Sequence, residues 1–161
     1  MPSFDITVQV NKTEVRNSID QASKEIQNRF DFKNTSAEIK FIDNEITCMA
    51  DNDFQLSQLQ DVFYSKCAKR KVDIRLFNHG DKTKISGNKV KQNITIMNGI
   101  KMEDAKKIVQ KIKLMKIKVQ SSIQGDLIRV SGSKKDLLQD VISLLKKEIK
   151  YLPLIFENFR D

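Results

Sequence analysis

The chain has little of what marks several large classes of protein. It holds two cysteines, Cys48 and Cys67, too few for a disulfide framework. Cys48 alternates with apolar neighbours and Cys67 falls on a helical pattern, so both read as buried free thiols rather than as a metal or redox site. The one histidine, His79, stands in a polar stretch without a nucleophile or carboxylate at a telling spacing. No apolar run approaches the ~20 residues of a membrane span. The start, Met1-Pro2-Ser3-Phe4-Asp5, lacks the basic-then-apolar order of a signal peptide. A cytoplasmic protein with no membrane partner is therefore expected. There is no Gly-rich phosphate loop, no His/Cys cluster and no serine in a nucleophile elbow. Acidic pairs such as Asp51 and Asp53 are explained as helix caps. The expectation is a protein that is not an enzyme and needs no cofactor.

What is present is charge. Charged residues make up 31% of the chain and hydrophobic ones 39%, the balance of a soluble globular protein. The net charge of +8 is uneven: residues 99–161 carry 14 basic and 8 acidic side chains, residues 1–98 carry 15 and 13. A basic half favours polyanions such as nucleotides or nucleic acid. A general lysine bias would raise the charge without any ligand, so the excess is a hint only when joined to a site.

Two hairpins organise the rest. Residues 118–132 read as two short strands around Gly125-Asp126, glycine accepting a positive φ without a Cβ clash. Val119, Ser121, Ile123, Ile128 and Val130 then share one face; Gln120, Ser122, Gln124, Leu127, Arg129 and Ser131 share the other. Residues 37–50 repeat the device around Asp43-Asn44, with Ile39, Phe41, Ile46, Cys48 and Ala50 on the apolar face. The hairpins superpose at an offset of 82 residues, which points to a tandem duplication.

Taken in order, Phe4–Val10 alternates as a strand. A helix follows, capped by Asn11 with Glu14 as return partner and striped by Val15, Ile19, Ala22, Ile26 and Phe30. After the first hairpin, Asp51-Asn52-Asp53 starts a second helix with Leu56, Leu59, Val62 and Phe63 inward. Val72–Leu76 reads as a strand, and the polar stretch Asn78–Lys89 as the connection between halves. The second half repeats the order: a strand over 90–97, a helix from Met102, the hairpin at Gly125, a helix capped by Ser133, and a strand after Pro153. Each half fits a βαββαβ, ferredoxin-like unit, an antiparallel four-stranded sheet with two helices on one face. The predicted class is α+β with two tandem domains, 1–84 and 85–161.

Such a unit leaves one sheet face uncovered, and in RNA-recognition modules bases stack on aromatics there. The predicted open faces carry Asp5, Thr7, Gln9, Glu45, Thr47 and Met49 in one half and Lys91, Asn93, Thr95, Leu127, Arg129 and Ser131 in the other, none of them aromatic. If the second half binds an anion, Lys118 and Arg129 are the best-placed cations, with Gln120 and Ser122 as hydrogen-bond partners. The plain alternative for these four is an exposed polar sheet face.

The chain resembles the YajQ family of small bacterial proteins from end to end. The resemblance is carried by Pro2-Ser3-Phe4-Asp5-Ile6, Arg29-Phe30-Asp31-Phe32, Asp53-Phe54-Gln55, Lys69-Arg70, Lys107-Ile108-Val109, Lys118-Val119-Gln120, Ile123-Gln124-Gly125-Asp126, Ile128-Arg129-Val130 and Asn158-Phe159-Arg160-Asp161. It implies two ferredoxin-like domains with exchanged first strands, residues near 4–10 sitting in the sheet of the C-terminal half. It implies nucleotide binding without turnover: cyclic di-GMP or RNA as ligand, or a transcription-regulator protein as partner. It also adds Arg29, Phe32, Lys69 and Arg70 to the candidate nucleotide-binding residues. Many members carry an aromatic pair shortly after the Ser-Gly that opens the second half; here Ser86-Gly87 is followed by Asn88-Lys89-Val90-Lys91, which counts against cyclic di-GMP. A purely adaptor role would need an exposed apolar patch, for which Leu152, Leu154 and Ile155 are the candidates.

Overall fold

The computed structural model describes residues 1–161. The strands are β1 (Ser3–Thr7), β2 (Glu38–Ile42), β3 (Glu45–Ala50), β4 (Phe77–Ile85), β5 (Lys89–Ile96), β6 (Val119–Gln124), β7 (Leu127–Gly132) and β8 (Ile155–Arg160). The helices are α1 (Lys12–Asn28), α2 (Asp53–Lys69), α3 (Met102–Leu114) and α4 (Lys135–Glu148). They form two four-stranded sheets, β6-β7-β1-β8 and β2-β3-β5-β4, with antiparallel pairing throughout. The fold is α+β and each sheet with its helix pair is ferredoxin-like.

The chain divides into one unit of residues 1–9 and 97–161 and another of residues 10–96. The expected boundary at 84/85 does not match this division. The stretch Asn78–Lys89 is not a linker but most of β4 and a tight hairpin turn into β5. Gly87 and Asn88 both take positive φ, 76° and 64°, so the chain folds back on itself. β5 therefore pairs with β4 and β3, while β1 fills the corresponding place between β7 and β8. The polar composition of β4 misled because it is an edge strand, exposed over most of its length. Its predecessor, Val72–Leu76, is not a strand either: Ile74–Leu76 forms a 3₁₀ turn capped by Asp73.

In the first unit Phe4, Ile6, Ile108, Ile128, Val130, Val141 and Leu145 are fully buried. Phe4 packs edge-on against Phe156 and stacks on Phe159. In the second, Val15, Ala22, Ile46, Cys48, Leu56, Leu59, Phe63 and Ile94 are fully buried beneath α1 and α2. Each such Leu, Ile or Phe contributes about 1.5–3 kcal/mol by leaving water.

Four local expectations are corrected. Phe30 lies beyond the end of α1 and is 94% exposed; Phe32 takes the buried place. Glu14 does not close a capping box with Asn11, because its carboxylate pairs with Arg70 at 3.2 Å. Ser133 is not the cap of α4, whose first turn follows Lys134 without a capping side chain. Leu152 is buried, so it cannot be part of an exposed apolar patch.

Candidate functional site

The exchange of strands redistributes the two open faces. Asp5 and Thr7 join Leu127, Arg129 and Ser131 in the first unit, whereas Glu45, Thr47 and Met49 join Lys91, Asn93 and Thr95 in the second. In the second face Thr47 donates a hydrogen bond to Asn93 at 3.2 Å, and the composition is mixed in charge.

The first unit's face is the more ordered array. β6 is an edge strand, and Gln120, Ser122 and Gln124 stand exposed along it, two residues apart. Lys118, also exposed, precedes them. On β7, Arg129 lies opposite Ser122, and Ser131 opposite Gln120. On β1, Asp5 lies opposite Arg129. Its side chain is only 4% exposed, and four donor nitrogens from three side chains converge on its carboxylate. Arg129 Nε donates at 2.9 Å and Nη2 at 3.4 Å. Asn158 Nδ2 donates at 2.7 Å, and Arg160 Nη2 at 3.5 Å.

The convergence has a backbone cause. Asn158 takes a positive φ of 59°, and the β1–β8 register slips between Ser3 and Asp5. This bulge lets both Asn158 and Arg160 reach Asp5. The hydrogen bond from Arg129 holds the Asp5 carboxyl below its ordinary value, against burial, which pushes it up; Asn158 and Arg160 add to the lowering. Arg129 is held more firmly protonated by the same bond. Beside this cluster Gln9 and Thr7 both donate to Glu157.

The structure places Gln120, Ser122 and Arg129 on one sheet face, with Lys118 exposed at a bend just ahead of β6. Arg129 is not a free cation but one positioned by a buried carboxylate. Sequence reasoning missed Asn158 and Arg160 as its neighbours. An asparagine inside an otherwise alternating strand was the available signal, since Asn tolerates positive φ.

The other four candidates lie in the second unit, at or just past the C-terminal ends of α1 and α2. Arg29 ends α1, pairs with Asp31 at 2.8 Å and Glu25 at 3.5 Å, and sits 5.0 Å above the Phe32 ring. Phe32 is 3% exposed, which leaves no ring face for a base. Arg70 follows the end of α2 and pairs with Glu14 near the start of α1. Glu25, a partner of Arg29, also pairs with Lys66 at 2.8 Å, one turn before Arg70, so each of the two arginines is tied to carboxylates of its own. Lys69, Arg70, Lys71, Glu14 and Gln21 line a shallow cleft of about 470 Å³. It lies at the C-terminal end of α2, where these cations complement the helix dipole.

The remaining reactive groups are quenched. Burial pushes the Cys48 thiol up to about 12 and the Cys67 thiol to about 11. Tyr64 is pushed up to about 12 by burial and shares a hydrogen bond with His79, whose own value burial lowers. No group of three or more His, Cys, Asp or Glu side chains is placed to hold a metal ion, and no helix is long and apolar enough to cross a membrane.

Compared with protein-family models, the chain matches the one described as "Nucleotide-binding protein YajQ-like" over residues 2–160.

Proposed function

The chain belongs to the YajQ-like nucleotide-binding proteins, and on that premise we propose that it binds single-stranded RNA on the open face of the β6-β7-β1-β8 sheet, without cleaving it. The observation that carries this reading is the row Gln120, Ser122 and Gln124 on the edge strand, led by Lys118 and backed by Arg129. Alternate residues of a strand stand about 6.8 Å apart, similar to the spacing of successive phosphates along an extended nucleic-acid strand. An edge row of this kind suits a polymer better than a compact ligand. Lys118 supplies the charge that draws the phosphates, Gln120 and Ser122 supply directional hydrogen bonds, and Asp5 fixes the Arg129 fork so that less freedom is lost on binding. The face offers no aromatic ring, so affinity comes from backbone and sugar contacts, with little sequence preference. The reading carries with it a cytoplasmic location.

Cyclic di-GMP is the less favoured ligand. It needs a stacking surface for guanine, and the β4–β5 turn holds Gly87, Asn88 and Lys89 instead of an aromatic. An adaptor role through Leu152 and its neighbours is disfavoured by the burial of that residue.

The test is fluorescence anisotropy of a labelled single-stranded RNA with the intact protein and with Lys118→Ala and Gln120→Ala. Each variant is expected to weaken binding several-fold, and Lys118→Ala to lower the salt slope by about 1, with the RNA recovered intact. Binding that is indifferent to both changes, or that shortens the RNA, overturns the reading.

A further inference from the structure

We propose that the outer edge of β6 pairs with the same edge of a second copy of this chain, so that two β6-β7-β1-β8 sheets join into one continuous sheet. Each sheet has two edge strands, and an edge strand presents unpaired N–H and C=O groups to any other extended chain. Three of the edges are blunted. β2 carries Glu38 and Lys40. β4 carries Asp81, Lys82 and Lys84 and slips register between His79 and Lys82. β8 carries Glu157 and Arg160 and is bent by the positive φ of Asn158. β6 has no charge, no proline and no glycine, and its register against β7 is unbroken from Val119 to Gln124. The usual protections of an edge are missing there.

The turn fixes which groups of β6 point outward. Gly125-Asp126 is a two-residue turn, so its closing pair, Gln124 and Leu127, exchanges backbone hydrogen bonds. Alternation then directs the N–H and C=O of Val119, Ser121 and Ile123 away from β7. In keeping with this, the Val119 N–H donates to the Ile117 carbonyl at 2.8 Å. The outward groups of Ser121 and Ile123 meet no other backbone group. The side chains of these three residues face the helices and are only half-buried, whereas Ile128 and Val130 on β7 are fully buried. A further strand would cover that row.

The strand is complementary to itself. A two-fold axis through Ser121 sets Ser121 against Ser121, Val119 against Ile123 on the helix side, and Gln120 against Ser122 on the open side. Every pair matches in polarity. The two Ser121 residues exchange backbone bonds, and each Ile123 N–H donates to a Val119 carbonyl. Lys118, just ahead of β6, comes alongside the other copy's turn, where Asp126 is the one acidic residue of the hairpin. An unrelated extended peptide would meet the edge but not this matched set.

This inference uses the backbone edge of β6 and its helix-side row, not the open-face side chains, so it is independent of the RNA reading. A six-residue strand pair buries less than the ~1,200 Å² of a stable complex, so the dimer is weak. Sedimentation equilibrium without RNA is expected to give 18.6 kDa at about 10 µM and to approach twice that mass at about 1 mM. Each copy carries a net charge of +8. Raising NaCl from about 50 to about 300 mM is therefore expected to strengthen association several-fold, the opposite of its effect on RNA binding. Ser121→Pro removes only an outward N–H, which an edge strand tolerates. It is expected to leave the circular dichroism unchanged and the protein monomeric at about 1 mM. As a second measurement, Ser121→Cys is expected to form an intermolecular disulfide on mild oxidation, since the axis brings the two Cα atoms to about 5.5 Å. Ser122→Cys is expected not to, because its two copies lie about 8 Å apart. The native Cys48 and Cys67 are fully buried and give no background. A chain that is monomeric at every concentration, association that weakens with salt, a dimer that Ser121→Pro leaves intact, or stronger cross-linking of Ser122→Cys than of Ser121→Cys overturns the proposal.

Discussion

At the scale of single residues, Asp5 is the most consequential side chain in the first unit. It is buried at the centre of a polar sheet face, and its charge is offset by Arg129, Asn158 and Arg160. Asp5→Asn keeps the shape and removes the charge. It is expected to cost about 2 kcal/mol in urea unfolding, the typical penalty for breaking a buried, charge-assisted hydrogen-bond set. The pH dependence follows from the direction of the shift. Because the folded carboxyl titrates below the ordinary 3.8, its stabilisation is full above that value. It is lost as pH falls from there towards the folded value, where the unfolded state has taken up the proton first. The gap between the wild type and Asp5→Asn should therefore narrow below about pH 4; a gap constant with pH would contradict the assignment. The sequence pattern put Asp5 on an open sheet face but grouped it with Glu45, Thr47 and Met49, whereas it lies opposite Arg129 in the other sheet. The pattern could not show the burial, which depends on the long side chains of β7 and on the bulge at Asn158.

At the scale of elements, most of the chain was legible because its apolar periodicities are strong. The stripe Val15, Ile19, Ala22, Ile26 is buried along α1, and both hairpins turn where Asp43-Asn44 and Gly125-Asp126 stand. The turns and caps give direct predictions. Asp43 and Asn44 both hold positive φ, 52° and 61°. Asn44→Gly should stabilise the protein by about 0.5 kcal/mol, seen as a higher Tm, because glycine adopts this region without the Cβ penalty. Asn52 caps α2 by accepting from the Gln55 amide at 2.8 Å, and Asn52→Ala should cost about 1 kcal/mol. What was illegible was β4. Its residues His79 to Lys84 are polar and exposed, so alternation and burial carried no signal there. A strand at a sheet edge is specified by its partner rather than by its own pattern.

At the scale of the whole molecule, the exchange of first strands decides which residues share a face. The tandem repeat was readable from the matching hairpins. The exchange was not, because β1 and β5 both alternate and either would fit either sheet; what selects the arrangement is the short turn at Gly87-Asn88, which returns β5 to β4. Gln120, Ser122 and Arg129 came together because all three belong to one hairpin, with Lys118 just ahead of it, whereas Arg29 and Arg70 are engaged by different carboxylates of the second unit. With 14 basic and 8 acidic side chains over residues 99–161, RNA affinity should fall steeply with salt, as counterion release requires. The most direct test of the central claim is an amide NMR titration of the intact protein with a short single-stranded RNA at low salt. The account predicts saturable shifts concentrated in residues 118–124 and 127–132, with α1 and α2 unmoved. Shifts confined to α1 and α2, or no shift at all, would contradict it.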